Sequence, residues 1–323
     1  MSISKLRAIA LGAVAALAAT VAFAEDYPSH PITLVVPFQA GGPTDAAGRL
    51  IGDAISSRIG QPVVVQNVAG AGSTIGAARV AEAEPDGYTL LMATSTAMVV
   101  APHIYNNLGF DGYRSFDPIG LVTQAPFVLL VSADSDYETL GDLMDYGRAN
   151  PDALNYATPG VGTVQHLAME MLIAKADVKA VHIPFKGTSA ARTAFLGGEV
   201  DYMIETPNAA VPLIDSGKAR ALAVLSADRV DSLGDLPTAK EQGLDVEARS
   251  WFAVMAPKRT PEDRIDTLRG LLGEALADDE VDAKMKASGF VPSPTPTAEF
   301  ESMLETEYNN FKTVVESAGI TLQ

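Results

Sequence analysis

Short β-branched runs alternate with helical patterns along most of the chain. PITLVVPF (residues 31–38), QPVVVQN (61–67) and YTLLMATS (88–95) read as strands in the first third. PFVLLVSA (126–133), LNYAT (154–158), KAVHIPF (179–185), VDYMIE (200–205) and ARALAVLS (219–226) follow in the middle. Helical periodicity fills most gaps, including Ala46 to Ile59, Val164 to Ala174 and Ser189 to Leu196. From Pro261 the chain reads as mostly helical, with stretches at Glu262 to Ala277 and Thr297 to Ser317 on either side of the Pro-rich VPSPTPT. Such alternation predicts an α/β protein of βαβ units, with mainly parallel sheets covered on both faces.

Two segments predict crossings between lobes. PIGLVTQAPFVLLV carries Gln124-Ala125-Pro126 between two strand patterns, and EARSWFAVMAPK is a strand pattern after a loop rich in Gly, Pro and Asp. Crossing at both places divides the chain into one lobe of residues 25–124 plus 251–323 and a second of residues 125–250. A protein built that way closes like a hinge on a ligand in the cleft between its lobes.

The first 24 residues predict a secretory signal peptide: Lys5 and Arg7, an apolar run from Ile9 to Val21, then Ala22-Phe23-Ala24 as a small-residue cleavage site. The expected location is the periplasm. Cysteine is absent, which excludes disulfides, thiolate metal sites and a cysteine nucleophile. The chain has a net charge of −17, and removal of residues 1–24 leaves 21 Lys and Arg against 40 Asp and Glu, or −19. That balance argues against nucleic acid as a partner.

The strand ends carry the chemistry. The first strand runs into Gly41-Gly42-Pro43-Thr44-Asp45, VVVQN into VAGAGSTIG, and YTLLMA into Thr94-Ser95-Thr96. LNYAT runs into PGVGTVQHL, HIPF into KGTSA, and DYMIE into Thr206-Pro207-Asn208. Each then starts a helix. Ligands of α/β sheets bind beyond the carboxyl ends of the strands, and a helix N-terminus there offers unpaired N–H groups and partial positive charge. Glycine lets the backbone approach closely, and Ser or Thr adds a hydroxyl. Two such loops facing each other form an anion trap without basic side chains. Each feature also has a local reading as a helix cap or turn. Asp45 either stabilises its own helix start or meets a ligand group, and His166 is either structural or ligand-facing. Lys186 is the one basic residue within these loops.

Other chemistries find no support. GAGSTIG is one residue longer than the dinucleotide fingerprint, and no Walker lysine motif is present. GTSAA resembles a serine nucleophile turn, but no histidine follows His182. His30, His103, His166 and His182 have no metal-ligand spacing. No cofactor or metal is expected.

YPSHPITLVVPFQAGGPTD, EPDGYTLLMA, LNYATPGVGTVQHLAMEML, HIPFKGTSAARTAFLGGEVDYM, SGKARALAVLSADR and LPTAKEQGL resemble the receptors of the tripartite tricarboxylate transporters, the Bug family. The likeness spans nearly all of the chain after the leader, in order. It implies a two-lobed periplasmic binding protein of the type II, Venus-flytrap class, and no enzyme activity. It implies a monomeric receptor that hands a small carboxylate to one large and one small membrane subunit. Family ligands include di- and tricarboxylates, acidic amino acids and aromatic acids. In the family the ligand carboxylate is held by backbone N–H groups and waters at two Gly-rich loops. Carried onto this chain these are Gly41 to Asp45, with Gly41, Gly42, Thr44 and Asp45, and Pro159 to His166, with hydroxyls from Ser95 and Thr96; Phe38 and Ser73 join them as candidate site residues. Gly162, Thr163, Val164 and His166 belong to the second of these loops. Thr158, Lys186 and Glu205 are further candidates from the strand ends of the opposite lobe, although many family members read Phe-Asp where this chain has Glu205-Thr206. A periplasmic sensor that docks on a signalling protein would share the same cleft and is the alternative reading.

Overall fold

A computed structural model describes residues 27–288 and 290–319, so the leader expected at residues 1–24 lies outside the described residues. Two five-stranded sheets organise the chain. The first contains β1 (Ile32–Val36), β2 (Val63–Asn67), β3 (Thr89–Thr94), β4 (Phe116–Pro126) and β10 (Arg249–Pro257), in the order β2-β1-β3-β10-β4. The second contains β5 (Val128–Ser132), β6 (Leu154–Thr158), β7 (Ala180–Pro184), β8 (Tyr202–Glu205) and β9 (Ala219–Val224), in the order β7-β6-β8-β5-β9.

Each sheet has four strands in one direction and one reversed. In the first, β1 is parallel to β2 and β3, while β10 is antiparallel to β3 and β4. In the second, β6 is parallel to β7 and β8, while β5 is antiparallel to β8 and β9. The reversed strands have a geometric cause. β4 runs out of the first sheet to Pro126, a single residue intervenes, and β5 begins at Val128 beside Glu205, the last residue of β8. A strand that arrives from the cleft must run against strands that end at the cleft. β10 does the same on the return, with Phe252 beside Thr94 at the end of β3. The carboxyl ends of both sets of strands therefore lie on the same side as the crossings.

Side-chain alternation assigns the two faces of each sheet. Ile32, Leu34 and Val36 enter one core with Ile51, Leu268 and Leu272, which come from the helices Pro43–Ile59 and Glu262–Leu276. Val35 points the other way, with Leu91, Trp251 and Phe300. In the second sheet Val128 and Leu130 pack with Phe195 and Met203, while Leu129 and Val131 face Tyr156 and Met169. This period of two is the pleat itself, and burying such side chains stabilises the fold by about 1.5–3 kcal/mol apiece. β2 alternates between partial burial and exposure, as an edge strand should, and β3 is buried along nearly its whole length.

One core is shared between the sheets. Phe300, Leu304 and Phe311 of the C-terminal helix Thr297–Ala318 belong to the same cluster as Leu167, Met169 and Leu172 of the second-sheet helix Val164–Lys175. That helix pair packs directly. Next to the crossing, Trp251 Nε1 donates to Glu307 Oε2 at 2.7 Å, and Arg249 lies 3.3 Å from Glu307 Oε1. Among the described residues, no helix is long and apolar enough to cross a membrane.

Candidate functional site

The loop after β1 is open to solvent and is locked by one carboxylate. Gly41 adopts φ +87°, in the left-handed region, while Gly42 is extended at φ −88° and caps the helix that Pro43 begins. Phe38 is exposed, and Thr44 and Asp45 are buried. Asp45 Oδ2 accepts from the Gly41 N–H at 2.9 Å and from Arg49 Nε at 3.0 Å. Its Oδ1 takes Asn67 Nδ2 at 2.9 Å and Arg49 Nη2 at 3.0 Å. Burial pushes the Asp45 carboxyl up, but these hydrogen bonds outweigh it and hold it at about 2. Both oxygens are thus engaged within the loop. Asp45 is a first-turn residue that ties its own loop shut, the first of the two readings its position allows.

The second loop holds backbone that L-residues rarely adopt. Ala71, Gly72 and Ser73 have φ of 42°, 60° and 82° in succession. Two non-glycine residues in the left-handed region cost energy that surrounding contacts must offset. Ser73 is buried, and its Oγ lies 3.0 Å from Thr94 Oγ1. Gly76 then lets the helix Thr74–Ala81 come close: a Cβ there would sit 2.7 Å from the Val68 carbonyl and from Pro37.

Ser95 is buried at the start of a π-helical turn, Thr96–Val100. Such turns are rare and recur at functional sites. Thr96 Oγ1 accepts the backbone N–H of Val164 at 3.3 Å, which joins the first-sheet loop to the second-sheet helix across the cleft. Val164 therefore gives its N–H to Thr96.

The opposing loop follows β6. Thr158 is fully buried, Gly162 has φ +74°, and Thr163 caps the helix by accepting the His166 N–H at 3.3 Å. The Thr163 hydroxyl donates its own proton to the Gly160 carbonyl at 2.9 Å. His166 is buried, and its Nδ1 accepts the Gly162 N–H at 3.2 Å. Its Nε2 carries the ring proton and faces Glu170 Oε1 at 3.7 Å. The ring stacks on His182, with centroids 3.9 Å apart, and His182 Nε2 lies 2.6 Å from Thr158 Oγ1. Burial, with the neighbouring His182, lowers His166 to about 3, and burial lowers His182 to about 4. Both rings are neutral at pH 7 and brace the loop from behind.

Lys186 is exposed and makes no hydrogen bond or ion pair among the described residues. Glu205 is buried and paired: Arg192 Nε donates to its Oε1 at 2.9 Å. Burial raises the Glu205 carboxyl and Arg192 opposes that rise. The geometry thus gathers Ser73, Thr96, Gly162, Val164 and His166 into bonded loop ends, leaves Phe38 and Lys186 facing solvent, and turns Glu205 toward Arg192. Sequence reading missed the roles of Arg49, His182 and Arg192, and it named Thr94 at its strand end without its contact to Ser73. Arg49 had a signal, standing one helical turn after Asp45. Among the described residues no group of three or more His, Asp or Glu is placed to hold a metal ion.

Comparison with known proteins places this arrangement. Residues 47–320 match the family described as tripartite tricarboxylate transporter family receptor. Protein BugT of Bordetella pertussis is 34% identical over 313 residues, 96% of each chain. Among solved structures, Rpa4515 of R. palustris with adipate superposes with a TM-score of 0.81 at 31% identity, covering 92% of this chain and 99% of its own. Periplasmic binding protein BugD superposes at 0.78 with 36% identity, covering 92% and 100%. The family is one of solute receptors, not enzymes, and its fold is the two-lobed periplasmic binding protein. This chain belongs to the tripartite tricarboxylate transporter receptors, the Bug family.

Proposed function

We propose that this chain binds a small carboxylate in the cleft and presents it to the large and small membrane subunits of a tripartite transporter. The lobes of the proposal are residues 25–124 with 251–323, and residues 125–250, and they close in the periplasm after removal of the leader. The observation that carries the reading is the bond between Val164 N–H and Thr96 Oγ1. It marks where two donor-rich strand ends meet, and it sits at a helix N-terminus, where partial positive charge favours an anion. Rpa4515 was solved with adipate, a dicarboxylate, and this supports the ligand class. The carboxylate lies against those backbone N–H groups of the two loops that have no partner among the described residues, on Gly42, Thr44 and Asp45 in the first and on Val161 and Gln165 in the second, with hydroxyls of Ser95 and Thr96 beside it. Asp45 and His166 act on it indirectly, by fixing Gly41 and Gly162.

A thermal-shift screen of the purified protein against carboxylic acids tests this, because a ligand that binds only the folded state raises the melting temperature. The expected result is a rise with one group of acids, reproduced by calorimetric titration. No rise with any carboxylate, and a rise with a cation or neutral sugar instead, overturns it.

A further inference from the structure

Glu205 ends β8 at the rim of the cleft. Its register partner is Val128, the first residue after the crossing at Phe127. β8 also runs parallel to β6 through Met203 and Ala157, which puts Glu205 level with Pro159, the root of the glycine loop. Arg192 belongs to the helix Thr188–Leu196, whose start is tied to that loop by the Gly187 N–H to Pro159 carbonyl bond of 2.9 Å. Helical side chains lean toward the helix N-terminus, so the guanidinium points back to the cleft end.

The pairing is lopsided. Arg192 Nε and Nη2 both reach the same oxygen, Glu205 Oε1, at 2.9 and 2.8 Å. Nη1 makes no hydrogen bond among the described residues, and the Arg192 side chain is 34% exposed against 4% for Glu205. A buried carboxylate thus holds a planar cation by one edge and leaves another edge for an acceptor. Arginine held this way is suited to bidentate recognition of a second carboxylate.

We propose that Arg192 reads the far end of the ligand and that Glu205 positions it, so that the receptor selects acids with a second carboxylate over monocarboxylates of the same length. The inference rests on the carboxylate-receptor reading above. A ligand with an ammonium at its far end finds no acceptor here, because both Asp45 oxygens are filled and Glu205 is buried behind Arg192. Lys186 competes for the role but is an exposed point charge with no positioning partner among the described residues.

Calorimetric titration with straight-chain dicarboxylates of four to eight carbons, and with monocarboxylates of matching length, tests the proposal. Arg192→Gln alone strands a buried carboxylate and costs stability. The decisive variant is therefore Arg192→Met/Glu205→Leu, which replaces the pair with apolar groups, and a melting curve verifies its fold. The wild type is expected to prefer a dicarboxylate. In the double variant that affinity drops by roughly ten- to a hundred-fold, while monocarboxylate affinity stays within about threefold. Glu205→Gln is expected to lower the same preference, and an unchanged preference there overturns its positioning role. A wild type without the preference, or a folded double variant that keeps it, overturns the proposal and leaves the receptor reading intact. A wild type that binds no acid of either kind removes both.

Discussion

The hydroxyl of Thr96 accepts the backbone N–H of Val164 at 3.3 Å, and the two residues lie on loops of different sheets. A hydroxyl that accepts there keeps its own proton to donate. Helix-end N–H polarisation makes it a better donor to an anion, so under the proposed function one small group would serve both closure and recognition. Thr96→Val keeps the shape and removes both bonds. The expected outcome is a loss of about tenfold in carboxylate affinity, from roughly 1.5 kcal/mol per charged hydrogen bond. Titration calorimetry measures it, and a single cooperative melting transition of the free variant confirms that the fold is intact.

The paired glycines at 41 and 42 have different jobs. Gly41 lies at φ +87° and Gly162 at φ +74°, where a Cβ is strained by about 1–2 kcal/mol. Gly42 lies at φ −88°, and a Cβ there meets only the Gln39 carbonyl at 3.7 Å, ordinary contact. Gly41→Ala and Gly162→Ala are therefore expected to lower stability in urea titrations, and Gly42→Ala to leave it unchanged. The reverse order would show that crowding at residue 42, not backbone hand, governs the loop.

Anion recognition by a chain of net charge −17 is expected to depend little on long-range attraction. Lys186 is exposed without a partner among the described residues, and Asp45 and Glu205 each neutralise an arginine. Lys186→Ala should change affinity by less than about fivefold, since exposed pairings contribute about 0–1 kcal/mol. Thr163→Val should cost more, because it removes the donor to the Gly160 carbonyl and the cap on the His166 N–H. Titrations of both at low and high salt decide the matter; steep salt dependence with collapse of binding in Lys186→Ala defeats it.

Acid should loosen the second-lobe loop before the first. His166 is lowered to about 3 and His182 to about 4, below the ordinary value of 6.5. The unfolded chain therefore binds protons that the folded chain refuses, and stability present above pH 6.5 is lost as pH falls toward 3 to 4. The slope is at most about 1.4 kcal/mol per pH unit per ring. Asp45, held at about 2 against 3.8, contributes stability that is complete above pH 3.8 and fades only as pH falls toward 2. Melting curves between pH 7 and 5 should thus slope downward in the wild type and flatten in His166→Asn/His182→Gln. An equal slope in both would assign the acid sensitivity to other groups.

Much of the architecture is legible from periodicity. The helix read from Val164 to Ala174 extends to Lys175, and that read from Glu262 to Ala277 ends at Leu276. β-branched runs bounded by Gly and Pro locate the strands, and all six strand ends singled out start helical turns. Strand direction is not written locally. β5 and β10 read like their neighbours, and their reversal follows only from the side on which the chain enters each sheet. The site divides the same way. Asp45 and Arg49 lie one helical turn apart and can be paired on sight, but Asn67 reaches Asp45 across 22 positions. The stack of His166 on His182 and the grip of Glu205 on Arg192 arise from neighbouring strands and helices, so no short motif announces them. The π-helical turn at Thr96 has no sequence signature either.

The crossings are a narrow ribbon. Arg249 pairs with Pro126, and beyond it the Phe127 N–H donates to the Ala248 carbonyl at 3.1 Å. The Leu225 N–H in turn donates to the Phe127 carbonyl at 2.8 Å, so three segments run side by side where the lobes part. We propose that the lobes hinge here, because a few residues where two crossings run side by side can absorb the change in backbone angle. On that proposal the Val164 N–H to Thr96 Oγ1 bond belongs to the closed arrangement, and opening the lobes hands both groups to water.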